Sequence, residues 1–133
     1  MGIGEELPSQ RFRIDRLQLV RYAGASLDAN PIHWSDAAAR RAGLPDVIAH
    51  GMLTMALAGR VVTDWTGDPG AVVEYRVRFS APLPVPTEGH AEVVVSGRVS
   101  ELLEDGQVAV DLIVESDGGA VLENARATVR LEA

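Results

Sequence analysis

The chain has no cysteine and no lysine, and its 133 residues include only two tryptophans, two tyrosines and two phenylalanines. Without cysteine there is no disulfide framework, no thiol nucleophile and no thiolate metal site. Without lysine, Schiff-base chemistry and a P-loop lysine are excluded. Long apolar runs are missing too: no window approaches the roughly 18 apolar residues of a membrane span. Met1–Gln10 lacks the basic-then-apolar layout of a signal segment, so cytoplasmic residence is the expectation. Positive charge is scarce. Twelve arginines stand against nineteen acidic residues, a net charge of −7, which argues against a duplex-wrapping nucleic-acid binder. The three histidines lack close ligand spacing, and no H-E-x-x-H, G-x-G-x-x-G or G-x-S-x-G pattern occurs, so neither a metal nor a cofactor is expected.

What remains is an apolar fraction of 47% in a length that suits one domain with one core. Arg11–Ile14 reads as a short strand. Asp15 with Gln18 forms a capping-box pattern, and Ile14 with Leu19 a hydrophobic staple, so a helix is expected from Arg16 to Ala23, broken near Gly24. Ser35 is a second cap, for a short helix over Ala37–Arg41 that stops at Gly43. Gly51–Trp65 is apolar on nearly every face, the pattern of a helix buried all round. After Gly67-Asp68-Pro69-Gly70 the period becomes two: Val73, Tyr75, Val77 and Phe79 alternate with charged residues as in a half-buried strand. Pro82, Pro84 and Pro86 make an extended connector. Three further strands fit Ala91–Val99, Val108–Glu115 and Val121–Leu131, with turns at Asp105-Gly106 and Asp117-Gly118-Gly119. The expected class is α+β, an antiparallel sheet wrapped around a buried helix, with a hotdog fold as the specific form.

The chemistry-bearing stretch is Ser26-Leu27-Asp28-Ala29-Asn30-Pro31-Ile32-His33-Trp34. It sets a carboxylate and an imidazole five residues apart, with Pro31 holding Asn30 out of the helical region. Such a pair suits two-sided acid–base work, given a partly apolar surrounding that Ile32, Trp34 and the central helix can supply. Asn30 offers an amide to fix a carboxylate or a carbonyl. Taken alone, Asp28 reads as an Asx turn and His33 as a half-buried structural histidine; as a pair bracketing Asn-Pro, with a Gly-initiated buried helix downstream, they read equally as functional groups. Gly51 opens the apolar helix, so its N–H is unpaired at the positive end of the helix dipole, where an oxyanion is stabilised. An ordinary glycine at a helix start is the competing reading. His50 reads as a scaffold residue and His90 as solvated.

These residues resemble the MaoC-like, (R)-specific hydratase/dehydratase family. The likeness begins at Tyr22-Ala23-Gly24-Ala25-Ser26, runs through Asp28 and Asn30-Pro31-Ile32-His33, and resumes at Ala49-His50-Gly51-Met52, with Gly51 eighteen positions after His33. Gly67–Val72 and Tyr75–Phe79 extend it over nearly the whole chain, and these segments are most similar to the actinobacterial hydratase-type subunit of (3R)-hydroxyacyl-carrier-protein dehydratases. The resemblance implies one hotdog domain over residues 1–133. It implies reversible loss of water from a (3R)-3-hydroxyacyl thioester, with Asp28 and His33 as the catalytic pair, Gly51 as oxyanion donor, and Ser26, Asn30 and Pro31 supporting the loop. Leu27 departs from the pattern, standing where the family most often has glycine. Its side chain either narrows the mouth of the site or the loop avoids positive φ here.

Three functions follow as expectations. The leading one is a dehydratase subunit acting on acyl chains held by an acyl carrier protein in fatty-acid or polyketide assembly, beside a second hotdog subunit. A homodimeric (R)-specific enoyl-CoA hydratase is the alternative enzyme, and a non-catalytic acyl-binding or scaffolding module the alternative class. Because the chain and a carrier protein are both acidic, docking needs a basic partner or a local patch, for which Arg21, Arg40, Arg41, Arg60 and Arg76 are candidates.

Overall fold

A computed structural model describes residues 2–131, so Met1, Glu132 and Ala133 of the expected domain lie outside the described residues. Five strands, β1 (Glu6–Ile14), β2 (Val72–Phe79), β3 (Ala91–Leu102), β4 (Gln107–Ser116) and β5 (Gly119–Arg130), form one antiparallel sheet in the order β1-β3-β4-β5-β2. Period-two alternation places Val93, Val95 and Val99, Val108, Val110 and Val114, and Val121, Ala125, Ala127 and Val129 inward. The two tight turns use the chemistry read from sequence. Asp105-Gly106 and Asp117-Gly118 have positive φ at both residues, which matches the right-handed twist of the hairpins.

Three helices lie beside the sheet: α1 (Arg16–Ser26), α2 (Asp36–Arg41) and α3 (Gly51–Thr66). The Asp15/Gln18 capping box forms in full, and Ser35 caps α2 through Ala38 N–H. Helix α1 passes through Gly24 instead of breaking there. Its last turn is held by the Ser26 hydroxyl, which donates to Tyr22 O at 2.8 Å, and it ends at Leu27 in the left-handed region. β1 begins earlier than expected, at Glu6. Pro8 hid it, yet proline is tolerated on an edge strand, and here it sits where the β1–β3 register shifts between Leu7 and Gln10.

One correction concerns α3. It buries Thr54, Ala58, Val61 and Val62 against the sheet, but Met52 and Ala56 stay exposed, so the helix is apolar all round without being covered all round. The proline connector runs extended and pairs with the segment before α3. Ala49 N–H donates to Leu83 O at 2.9 Å and Val85 N–H to Val47 O at 2.9 Å. Arg16, on the first turn of α1, spans the same region, donating to Val85 O at 2.8 Å and to Asp36 at 3.0 Å.

Candidate active site

The loop between α1 and α2 is built by short-range capping. Ser26 Oγ accepts the Asp28 N–H at 3.2 Å, and Asn30 Oδ1 accepts the Ile32 N–H at 3.2 Å. Pro31, with its fixed φ and no N–H, opens a single 3-10 turn over Pro31–His33. The Asn30 side chain is therefore spent as a cap. Its main-chain N–H, not its amide, meets the Asp28 carboxylate, at 3.3 Å.

The turn drives His33 inward, where it is 7% exposed. Its Nδ1 lies 2.7 Å from the Ile48 carbonyl. A carbonyl only accepts, so Nδ1 carries the proton and Nε2 of the neutral ring presents a lone pair. That Nε2 faces Asp28 Oδ2 at 3.8 Å, too long for a direct hydrogen bond and open to a hydroxyl or water between them. Asp28 remains half exposed.

Asp28, His33 and Gly51 line one cleft of about 460 Å³, whose apolar walls are Met52, Phe79, Leu83, Val121 and Leu122. Ser26, Asn30 and Pro31 lie outside that lining and act on the loop. Trp34 does not supply the apolar surrounding expected of it. It is half exposed, and its indole N–H donates to Ala29 O at 3.0 Å, bracing the loop from outside. As the first residue of α3, Gly51 has an N–H with no acceptor inside the helix. A Cβ at this position would stand 2.8 Å from Cε1 of Phe79, so any larger residue would push that ring from its place over the helix start. Phe79 was signalled only by its place at the end of an alternating strand within the family-like Tyr75–Phe79 segment, not as a site residue, and the Ile48 carbonyl carried no signal.

Leu27 adopts φ +63°, the conformation glycine favours, so the loop does not avoid positive φ. Its side chain is 85% exposed and outside the cleft lining, so it does not narrow the mouth either.

His50 is 1% exposed. Its Nε2 lies 3.2 Å from the Asp28 carbonyl oxygen, its ring stacks on His33, and Tyr22 meets it edge-on. Ligand atoms of Asp28, His33 and His50 fall within 4.8 Å of one another. They do not suit a metal. Stacked rings direct their lone pairs along nearly parallel lines that cannot converge at the roughly 2.0–2.1 Å of a zinc–nitrogen bond. One nitrogen of each ring is also committed to a carbonyl.

A model of the MaoC like domain matches residues 2–117, and the chain belongs to this family. The 3-hydroxyacyl-thioester dehydratase X of Mycobacterium tuberculosis is 39% identical over 79 residues, covering 59% of this chain and 27% of that protein. An (R)-specific enoyl-CoA hydratase of Rhodospirillum rubrum is 33% identical over 89 residues, covering 66% of this chain and 62% of that protein. Among solved structures, a MaoC-like dehydratase superposes with a TM-score of 0.96 at 42% identity, over 99% of this chain and 41% of that one. The chain thus spans well under half the length of two of these three proteins. The sheet and central helix are the hotdog fold of this family. No helix among the described residues is long and apolar enough to cross a membrane.

Proposed function

We propose that this chain is a catalytic hotdog unit that reversibly dehydrates (3R)-3-hydroxyacyl thioesters, carried on an acyl carrier protein, to trans-2-enoyl thioesters in fatty-acid or polyketide assembly. The observation that carries this reading is the facing of His33 Nε2 and the Asp28 carboxylate at 3.8 Å in an apolar cleft whose wall includes Gly51. In dehydration, His33 Nε2 takes the C2 proton, and the C2–H electron pair moves toward the thioester carbonyl. That pair forms the C2–C3 double bond as the C3–O bond breaks, and a protonated Asp28 gives its proton to the departing hydroxyl, which leaves as water. Negative charge developing on the thioester oxygen is met by the Gly51 N–H at the positive end of α3. Hydration is the reverse.

A second hotdog unit, as a separate subunit or a tandem partner, belongs to this proposal. β2 ends the sheet order with one edge unpaired among the described residues, and Val73, Phe79, Met52 and Ala56 leave an apolar surface beside it. The structural relative above is long enough for more than one such unit. Arg21, Arg40, Arg41, Arg60 and Arg76 are all exposed, as a carrier-docking patch requires, and a cytoplasmic setting is part of the same proposal. Reversing those charges should slow carrier-linked turnover, and unchanged turnover removes the patch.

The test is turnover of a trans-2-enoyl-CoA and of the matching carrier-linked chain, by the purified protein alone and with a second hotdog protein. Rapid hydration by the protein alone, with no preference for the carrier, favours the homodimeric (R)-specific enoyl-CoA hydratase, as the Rhodospirillum relative suggests. Asp28→Asn and His33→Ala variants that leave turnover intact would favour the non-catalytic module.

A further inference from the structure

Three groups meet at the cleft from two distant segments: Asp28 and His33 from the loop after α1, Gly51 from the start of α3. The four residues Ile48–Gly51 join them. Ile48 contributes its carbonyl to His33 Nδ1 at 2.7 Å, and His50 reaches the Asp28 carbonyl with Nε2 at 3.2 Å. We infer that His50 is a positioning residue for Asp28, holding the main chain of the reacting carboxylate in register with Gly51 through its Nε2–H. The inference rests on the reading of Asp28 as a reacting group.

His50 is the N-cap residue of α3, yet its side chain makes no capping bond. It is turned instead beneath His33, with ring centroids 3.8 Å apart, and against the edge of Tyr22, with centroids 4.8 Å apart. Because the Asp28 carbonyl can only accept, Nε2 carries the proton and Nδ1 is left as a bare lone pair. That Nδ1 is buried without a partner. A buried polar atom left unsatisfied is unfavourable and rare in native proteins. Phenylalanine would fill the same space and stack on His33 without that penalty. What the imidazole adds is one donor, and that donor ends on Asp28. Asp28 needs it, because Leu27 before it is held in the left-handed region and its own side chain is half exposed. Burial and the neighbouring His33 keep His50 neutral, which suits a fixed donor and not a proton carrier.

His50→Phe keeps the ring and loses the donor, whereas His50→Gln places an N–H where Nε2 now lies. Both are compared with wild type for thermal melting, for hydration of crotonyl-CoA in the presence of whatever second hotdog unit the wild type needs, and for amide exchange over Leu27–Asn30. The expected result for His50→Phe is kcat lowered roughly tenfold to a hundredfold with KM within about threefold, since a misplacement of 1 Å costs up to about that much. Exchange in the loop quickens, and His50→Gln restores most of both. If His50→Phe keeps full kcat and wild-type exchange, the inference is overturned. It is overturned as well if His50→Gln fails to recover while melting like wild type, or if both losses only follow a drop in melting temperature. Asp28→Asn separates the two readings. Should it retain wild-type turnover, Asp28 is not a reacting group, while the exchange data still report whether His50 holds the loop.

Discussion

The imidazoles of His33 and His50 lie face to face, centroids 3.8 Å apart and planes 21° from parallel, with the Asp28 residue reached by both. Each ring has one nitrogen tied to a main-chain carbonyl, so the tautomers of both are set by backbone that belongs to other segments. Only His33 turns a free lone pair toward the cleft. In the same stack His33 adds to burial in lowering the pKa of His50.

Stability should therefore depend on pH through His50. Burial, the largest cause, and the neighbouring His33 lower its pKa below the ordinary 6.5, against an opposing pull from Asp28. Between the lowered value and about pH 6.5 the unfolded chain binds more protons than the native one. Stability is complete above about pH 6.5 and declines as pH falls through that window. Denaturant titrations across the range should show a steeper acid decline in wild type than in His50→Phe. Equal slopes would contradict the lowered pKa.

Gly51→Ala should lower turnover by pressing a methyl group into the space of the Phe79 ring, 2.8 Å from its Cε1. Phe79→Ala in the same chain removes that overlap and should recover part of the loss. A coupling of about 0.5–3 kcal/mol is expected for side chains in such direct contact. Strict additivity in a double-mutant cycle on kcat/KM would refute the contact.

Leu27→Gly should stabilise the fold by about 0.5–1 kcal/mol, because the left-handed region costs a branched side chain more than the extra chain entropy of glycine takes back. With its side chain 85% exposed and outside the cleft lining, turnover should stay within about twofold of wild type. Differential scanning calorimetry and steady-state rates check the two halves. A lower melting temperature would show that the leucine is held by contacts of its own.

Arg16→Ala should lower stability by about 1.5–3 kcal/mol, the range for hydrogen bonds from a charged donor. The guanidinium is 21% exposed, joins α1 to the proline connector at Val85 O, and meets Asp36 at 3.0 Å and Asp46 at 3.6 Å. The midpoint of urea unfolding should move down at an unchanged m-value. A midpoint within error of wild type would mean that solvent replaces these contacts.

Much of the fold was legible because its signals are local. The Asp15/Gln18 box, the Asp-Gly turns and the alternation of β3 to β5 each lie within a few residues and formed where the sequence placed them. The misses have local causes too. Gly24 did not end α1, since a side-chain bond from Ser26 closes the following turn, and Pro8 did not prevent β1, since an edge strand with a register shift tolerates it.

By itself, the sequence determined that Asp28 and His33 share one loop bent at Pro31, that Gly51 begins an apolar helix, and that no cysteine or lysine chemistry is available. Capping bonds and a proline turn are settled between neighbours, so no long-range closure is needed to specify them. Only the tertiary structure decided that Phe79 lies over Gly51, that the Ile48 carbonyl orients His33, and that His50 turns from its helix to reach Asp28. It also decided which face of α3 stays uncovered. Those contacts join residues 15 to 28 positions apart through carbonyls and ring faces. They come together only when the sheet closes on α3, because no side-chain pattern along the chain encodes a backbone acceptor.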